Sequence, residues 1–238
     1  MRLITLLIIA SSIVLQAQPV DKNYLLGKFD PATHPQFVKL ADEHTRGSGR
    51  GAYLRKETYE AFIKMSDAAR KEGVELTIIS ATRNFDSQKR IWENKWNGKV
   101  QVEGKDLTTV NDLKERARLI LLYSSMPSTS RHHWGTDMDL NVLNNSFFDS
   151  GEGLKIYTWL KAHAAEYGFC QPYTAKDSGR TGYEEERWHW SYLPLSGEFL
   201  EQYQKQVNYN DITGFEGSTV AKSMGVIKNY VEGVACKK

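Results

Sequence analysis

Two short segments of the chain combine histidine with carboxylate side chains at spacings that suit a catalytic metal site. One covers residues 130–139 and the other residues 186–190. A catalytic zinc ion takes three protein ligands of the His or carboxylate type and keeps one position for water. His132 and Asp139 can both face one ion because Gly135 lets the chain turn back between them, and His189 can supply the third ligand from a distant strand.

Glu186 precedes His189 by three residues, a spacing at which its carboxylate can reach a water on the metal without binding the metal itself. Zinc lowers the pKa of such a water to about 7, and a nearby carboxylate can then accept its proton and pass it to the leaving amine. Each pattern alone occurs by chance. Their order in one chain, with Ser130 and Gly135 at fixed places, is far more specific.

The two segments resemble the signature of the VanY-type D-alanyl-D-alanine carboxypeptidases and related dipeptidases of the LAS metallopeptidase group. That signature reads S-x-H-x-x-G-x-A-x-D followed by E-x-x-H-W. An upstream element of the family, an Arg followed five residues later by a Gln after a strand, is matched by Arg83 and Gln88. The resemblance spans residues 53–193. The residues that match the signature are Ser130, His132, Gly135, Asp139, Glu186, His189 and Trp190.

The resemblance implies one zinc ion, held by His132, Asp139 and His189, with Glu186 as the general base. It implies a D-alanyl-D-alanine carboxypeptidase that acts on peptidoglycan stem peptides. An L,D-carboxypeptidase, a D-Ala-D-Ala dipeptidase and a peptidoglycan endopeptidase share this metal chemistry and stay open as alternatives. A non-catalytic zinc-containing binding module is an alternative of another class, although such a module has no need of a base at the Glu186 position.

The resemblance also implies contacts with the substrate. Arg83 would polarise the scissile carbonyl and stabilise the oxyanion, while Gln88 and Ser130 would bind the terminal D-residue or its carboxylate. Plainer roles are open for two of them: Arg83 can form a surface ion pair, and Ser130 can cap a helix or stabilise a turn, since the preceding residues 127–129 favour turns.

The chain departs from the family pattern at two places. Asp137 stands where the signature has a small residue, and if this strand alternates, Asp137 shares a face with Asp139. Asp137 would then either contact a metal ligand without binding the metal itself or bind substrate. Upstream, Ala81 and Thr82 replace the Gly-Tyr that is common in the family. His133 is expected to point away from the metal, because it adjoins His132 in an extended segment.

The elements that must position these residues indicate an α+β domain, because predicted strands and helices follow one another without strict alternation. The resemblance implies a central, mostly antiparallel sheet with flanking helices. Apolar periodicity and turn residues mark the segments. Strands are predicted at 74–79, after Gly135, and at 188–193. Helices are predicted at 57–72, from a cap at Asp86 or Ser87 to 96, and at 112–123, 154–167, 196–207 and about 218–231.

The first 17 residues are typical of a secretory signal peptide, with Arg2 before a short apolar run. We therefore expect an exported, periplasmic or extracellular protein with no membrane span after removal of the signal. Residues 18–207 are predicted to form the zinc peptidase domain, and residues 208–238 a C-terminal helical extension that packs on it. Cys170 and Cys236 can pair in an oxidising compartment or stay separate thiols.

The overall charge argues against nucleic acid as a partner. Lysine and arginine total 31 against 29 acidic residues, a formal net charge of +2. Nucleic-acid-binding domains usually carry a basic stripe or patch, which this balance does not support. We expect a monomer whose partners are peptidoglycan stem peptides.

Overall fold

The structure, a computed structural model, describes residues 20–236. The predicted signal peptide at residues 1–17 lies outside these residues. Within 20–236, no helix combines the length and the apolar character that crossing a membrane would require.

The strands form two antiparallel sheets. A two-stranded sheet pairs β1 with β2, and a four-stranded sheet has the order β3-β4-β6-β5 with every neighbouring pair antiparallel. The fold is α+β with an antiparallel sheet, as the sequence predicts. The strands are β1 (Phe37–Lys39), β2 (Tyr53–Arg55), β3 (Ile78–Ser80), β4 (Asp137–Leu140), β5 (Phe169–Cys170) and β6 (His189–Tyr192).

Helices flank the four-stranded sheet. The longest, α2, matches the helix predicted at 57–72 within one residue at each end, and Gly73 follows it in the left-handed conformation at φ 70°. The α-helices are α1 (Lys22–Leu25), α2 (Lys56–Lys71), α3 (Phe85–Trp96), α4 (Leu113–Ile120), α5 (Gly151–His163) and α6 (Leu193–Gln206).

The two faces of the central sheet differ in polarity. Met138 and Leu140 of β4 and Trp190 of β6 belong to an apolar cluster that also contains buried residues of α2 and α5. Because successive side chains of a strand point to opposite faces, the intervening residues of β4 and β6 lie on the other face. Those residues are Asp137, Asp139, His189 and Ser191, all of them buried. The sheet therefore presents its polar face to the candidate site.

A second apolar cluster joins α3, α4 and α6 to the C-terminal tail. Phe215, Val220 and Val231 are buried members of this cluster. The single helix predicted near 218–231 is not formed: the structure has a 3₁₀ helix at Ser218–Val220 and a π-helix at Ile227–Val231. Gly225, at φ 62°, interrupts the right-handed helix between them. The predicted boundary at residue 207 stays a prediction.

Two predicted helix starts are wrong. Helix α3 begins after Asn84, whose side chain accepts a hydrogen bond from the Ser87 amide, so Asn84 is the cap. Helix α6 begins at Leu193 with Pro194 in its first turn, where the fixed φ of proline suits a helix start. Ser196 lies inside α6 and is buried rather than capping it. The strand predicted at 74–79 is reduced to Ile78–Ser80.

Cys170 of β5 and Cys236 form a disulfide bond across 66 residues of sequence. The bond ties the C-terminal tail to the edge of the central sheet. A crosslink of this span restricts the unfolded chain, which is the main source of disulfide stabilisation in the chain-entropy model.

We expect Cys236→Ser to lower the free energy of unfolding by about 2–4 kcal/mol. For a chain of this size the loss corresponds to a fall in Tm of roughly 4–16 °C. Thermal unfolding with and without reductant measures the effect, and the reduced wild-type protein serves as the control because it should unfold like the variant. A wild-type Tm that reductant does not change would contradict the prediction.

Candidate metal centre and catalytic cleft

His132 is positioned by a tight turn before β4. It lies on the 3₁₀ helix Arg131–Trp134, and the Ser130 hydroxyl accepts a hydrogen bond from the His132 amide at 3.3 Å. Gly135 ends this helix in the left-handed conformation at φ 72°, and a Cβ at this position would collide with the Phe37 ring. Glycine is therefore required where the chain reverses into β4.

Asp139 and His189 are brought together by strand register. They are directly paired across β4 and β6, and Ser80 of β3 lies opposite Asp139 on the other side. Paired residues of antiparallel strands project from the same face, so the carboxylate and the imidazole meet there. Nδ1 of His189 lies 3.1 Å from Oδ1 of Asp139.

Hydrogen bonds fix the orientation of both imidazole rings. Nδ1 of His132 lies 2.8 Å from the carbonyl oxygen of Ala81, an atom that only accepts, so this nitrogen is the donor and Nε2 carries the lone pair. Nε2 of His189 lies 2.9 Å from Oδ2 of Asp137. That contact makes Nε2 the donor and leaves Nδ1 to face Asp139.

These atoms fit a divalent cation. Nε2 of His132 lies 3.4 Å from Oδ1 of Asp139, and one ligand atom from each of His132, Asp139 and His189 lies within 4.8 Å of the others. Among the described residues, Nε2 of His132 and Oδ1 of Asp139 have no hydrogen-bond partner. Ligand atoms of a tetrahedral zinc site with bonds of about 2.1 Å stand about 3.4 Å apart. Nε2 of His132, Nδ1 of His189 and the Asp139 carboxylate therefore converge at the spacing that zinc requires.

The electrostatics of the cluster favour an ionised Asp139. Burial alone would raise the pKa of its carboxyl, but the adjoining His132 and His189 hold that pKa well below its ordinary value. Burial lowers the pKa of His132, which keeps its imidazole neutral. In His189, burial is outweighed by the contacts with Asp137, Asp139 and Glu186, which raise the pKa of the ring well above its ordinary value, so metal binding would release a proton there. Neutral histidine and ionised carboxylate are the forms that bind a metal.

Glu186 adjoins the metal centre without joining it. Its Oε2 lies 3.3 Å from Nδ1 of His189, and its amide donates to the Tyr173 carbonyl at 2.9 Å. The side chain is buried, and burial raises the pKa of its carboxyl above the ordinary value. A raised pKa suits a group that must both take and return a proton.

Arg83 follows β3 and reaches the same centre. Its Nη1 donates to the Ser80 hydroxyl at 3.1 Å and lies 3.8 Å from Oδ2 of Asp139. The Arg83 amide also donates to the carbonyl of His132 at 3.2 Å, which links the end of β3 to the metal-binding turn. The Arg83 side chain is 24% exposed and lines the cleft, so it remains accessible to a ligand there.

A cavity of about 1120 Å³ opens over the metal centre. Its lining includes His132, Asp139, His189, Glu186, Arg83 and Gln88. Gln88 donates from Nε2 to the Ser125 carbonyl at 2.8 Å, and its Oε1 has no partner among the described residues. Ser130 is not among the lining residues of the cavity: it is buried and acts as the cap of the 3₁₀ helix. Its predicted contact with substrate stays a prediction.

Lys95 is a lining residue that sequence reasoning missed. Its Nζ donates to the Ser124 hydroxyl at 2.5 Å, and it forms no ion pair within residues 20–236. Burial lowers the pKa of its ammonium, and the nearby Arg83 lowers it further. Lys95 lies seven residues after Gln88 on α3, two turns along the helix, and this spacing was the available signal.

His133 does not join the candidate metal ligands, as expected, although its segment is a 3₁₀ helix and not the extended segment that the sequence suggested. Nδ1 of its ring lies 2.6 Å from the Arg83 carbonyl, so Nδ1 is the donor, and Nε2 accepts a hydrogen bond from the Ser128 amide at 3.1 Å. Burial lowers the pKa of the ring to about 3. His133 is therefore a neutral crosslink that holds the segment carrying Arg83 against the metal-binding turn.

Two curated proteins resemble the chain in sequence. The "Putative carboxypeptidase YodJ" of Bacillus subtilis (strain 168) is 31% identical over 167 residues, which cover 68% of this chain and 52% of that protein. The D-alanyl-D-alanine carboxypeptidase of Enterococcus faecalis (strain ATCC 700802 / V583) is 27% identical over 129 residues, covering 54% and 44%. The chain spans about half the length of these relatives.

Three solved structures share the fold. VanYB in complex with D-alanine-D-alanine superposes with a TM-score of 0.52 at 21% identity, covering 85% of this chain and 89% of that chain. The LdcB LD-carboxypeptidase gives 0.51 at 23% identity, covering 87% and 78%. The vancomycin resistance D,D-pentapeptidase VanY, a mutant in complex with Zn(II), gives 0.51 at 20% identity, covering 74% and 89%.

The family match covers most of the described domain. Residues 51–195 match the family described as VanY, D-alanyl-D-alanine carboxypeptidase. The matched stretch runs from β2 to the start of α6, so it contains every residue of the candidate metal centre. The chain belongs to the VanY D-alanyl-D-alanine carboxypeptidase family.

Proposed function

We propose that this protein is a zinc D-alanyl-D-alanine carboxypeptidase that removes the terminal D-residue from peptidoglycan stem peptides. The observation that carries the proposal is the convergence of His132, Asp139 and His189 on one point, with the buried Glu186 carboxylate beside them in an open cavity. Family membership and the Zn(II) complex of a structural relative support the same reading.

His132, Asp139 and His189 would hold the zinc ion. When bound, the ion supplies Lewis acidity, which lowers the pKa of an attacking water to about 7 and polarises a carbonyl. Glu186 accepts the proton of that water and returns it to the leaving amine. Its buried position beside His189, and the rise of its pKa, suit both transfers.

Arg83 is proposed to stabilise negative charge on the carbonyl oxygen as the tetrahedral geometry develops. Its guanidinium is accessible from the cavity and lies near Asp139, on the metal side of the cleft. A cation held in place before the reaction stabilises the transition state without reorganisation.

We expect Arg83→Ala to lower kcat by about 100- to 1,000-fold, because removing such a donor acts mainly on the transition state. Steady-state kinetics on a zinc-loaded variant separates kcat from KM. Arg90→Ala is the matched control: Arg90 lines the same cavity but is exposed, so its kcat should stay close to wild type. An Arg83 variant with a raised KM and a normal kcat would make Arg83 a binding residue instead.

Lys95 favours a carboxypeptidase over an endopeptidase. A half-buried ammonium in the cavity, bonded only to a hydroxyl within residues 20–236, is a partner for the free carboxylate of a chain end. An endopeptidase substrate has no carboxylate at the corresponding place. Gln88, with its unpartnered Oε1, lies on the same helix and can contact the terminal residue.

We expect Lys95→Met to lower kcat/KM by roughly 10- to 100-fold on a peptide with a free C-terminus, since a hydrogen bond to a charged group contributes about 1.5–3 kcal/mol. The control is the same peptide with an amidated C-terminus, on which wild type and variant should be equally slow. Equal loss on both peptides would indicate that Lys95 supports the fold of α3 rather than binding a carboxylate.

The product mass after incubation with a stem pentapeptide ending in D-Ala-D-Ala tests the proposed reaction. Loss of one residue supports the D,D-carboxypeptidase, loss of two indicates a dipeptidase, and internal cleavage indicates an endopeptidase. A stem tetrapeptide tests the L,D-carboxypeptidase, the alternative that the LdcB relative represents. Activity on the tetrapeptide alone would replace the D,D assignment.

A non-catalytic zinc-binding module is the alternative of another class. Burial of the Glu186 carboxylate costs desolvation free energy, and a non-catalytic module has no use for a base that would offset this cost. Stem peptides that bind the zinc-loaded protein but are never cleaved would support the module instead.

The disulfide between Cys170 and Cys236 supports export to an oxidising compartment, periplasmic or extracellular, as the predicted signal peptide does.

A further inference from the structure

Asp137 is the residue at which this chain departs from the family signature inside the metal-binding segment. It is fully buried, and it does not line the cavity. A substrate in the cleft therefore does not reach it. Of the two roles that its position leaves open, support for a metal ligand is the one that its surroundings allow.

Four donors surround the Asp137 carboxylate and account for both of its oxygens. Oδ1 accepts from the hydroxyls of Thr136 at 2.7 Å and Ser191 at 2.8 Å. Oδ2 accepts from Nε of Arg131 at 3.0 Å and contacts Nε2 of His189 at 2.9 Å. Hydroxyl donors on Oδ1 and the guanidinium donor on Oδ2 make both oxygens acceptors. Nε2 of His189 must therefore carry the hydrogen.

We propose that Asp137, paired with Arg131, is a positioning residue that sets the tautomer of His189 and so turns Nδ1 of that ring toward the metal. The inference rests on the metal centre proposed above. In metal sites, a carboxylate on the second nitrogen of a histidine ligand fixes the ring and raises its basicity. The family's small residue at this position cannot provide that contact.

Stabilisation of the fold does not by itself account for the buried ion pair between Arg131 and Asp137. A buried ion pair is often no more stable than apolar residues of similar volume, because both charges lose water. Arg131 also leaves its Nη1 without a hydrogen-bond partner among the described residues, although its guanidinium stacks 4.9 Å from the Trp134 ring centre. An apolar pair would lose the contacts to the Thr136 and Ser191 hydroxyls as well, but of the contacts of the Asp137 carboxylate only the one to His189 reaches a candidate metal ligand.

Zinc affinity, measured by competition with a chelator, tests the proposal without using activity. The decisive protein carries Arg131→Met together with Asp137→Ala, which removes both charges and leaves no unpaired ion. We expect it to bind zinc about 10- to 100-fold more weakly than wild type, the usual cost of losing a carboxylate behind a histidine ligand. Thermal unfolding of the zinc-free proteins is measured in parallel, to separate metal affinity from stability.

Ser191→Ala is the matched control. It removes a hydroxyl from the same carboxylate and an acceptor for Nη2 of Arg131, which donates to it at 2.7 Å, but it leaves the contact between Asp137 and His189. We expect a lower Tm with wild-type zinc affinity. For the double variant we expect weaker zinc binding than the change in the Tm of the zinc-free protein accounts for.

A double variant that binds zinc as tightly as wild type would overturn the inference and leave Asp137 as a structural partner of Arg131. If that double variant does not fold, Arg131→Met together with Asp137→Leu gives the comparison, since it fills the volume of both side chains and still offers no acceptor to Nε2 of His189. Weaker zinc binding by this second double variant supports the inference, and equal binding overturns it. A wild-type protein that binds no zinc would remove the proposed metal centre itself, so the two failures are distinguishable.

Discussion

Alanine in place of His132, Asp139 or His189 is expected to abolish both zinc binding and hydrolysis. A catalytic zinc site holds its ion through three protein ligands, and two ligands on this scaffold leave more than one position to solvent. Register fixes the Asp139 and His189 pair, while a hydrogen bond to the Ala81 carbonyl fixes the His132 ring. Within residues 20–236, no other His, Cys, Asp or Glu side chain belongs to this candidate ligand group.

Metal analysis after dialysis, together with activity on the stem pentapeptide, measures this result for each variant. His163→Ala is the control, because His163 lies on α5 outside the cleft, where its Nδ1 lies 3.0 Å from Oε1 of Glu166 and its ring packs beside Trp159. It should keep its zinc and its activity. Full zinc in His189→Ala would show that the ligand set is wrong, whatever the activity.

The grouping of the candidate metal ligands could be predicted in part because some of its signal is local. His132 and Asp139 are separated by a single turn, and Gly135 marks that turn in the sequence. The long-range pairing of Asp139 with His189 is set by strand register, which the sequence alone does not specify. The two segments occur in the order of the family signature, and this resemblance predicted that Asp139 and His189 bind the same ion.

Other features depend on tertiary distances that local patterns do not determine, even where a spacing, such as that of Lys95 from Gln88, places two residues on one helix face. Lys95 lines the cleft only because α3 lies along it, and its partner Ser124 comes from a different segment. Alternation places Asp137 on the face of Asp139, but its partner Arg131 sits on the preceding 3₁₀ helix, outside that alternation. The pairing of Cys170 with Cys236 likewise depends on where the tail ends.

The errors in the predicted helices have local causes: single residues whose backbone conformation ends or starts a helix. Helical periodicity near 218–231 was outweighed by Gly225, which takes a conformation that ends a right-handed helix. Ser196 has the residue type of a cap, yet Pro194 starts α6 earlier and leaves Ser196 inside it. In both places one residue with a fixed or unusual φ decided the outcome.

Glu186→Gln is expected to keep its zinc and to lose about 100- to 10,000-fold in kcat, the usual contribution of a general base. The amide has nearly the same volume as the carboxylate and can still accept a hydrogen bond, but it cannot take a proton from water. Because Glu186 adjoins His189 without belonging to the candidate ligand set, the metal should remain.

Zinc content and single-turnover kinetics on the same preparation distinguish this role from the plainer one. If Glu186 were part of a solvated acidic run with Glu184 and Glu185, the substitution would change the rate little and the stability slightly. Glu184→Gln is the matched control, because Glu184 pairs with Lys176 at the surface and should keep a near-normal rate. A zinc-loaded Glu186→Gln protein with wild-type turnover would leave the proton transfers without a carrier, and the hydrolytic mechanism proposed for this cleft would be wrong.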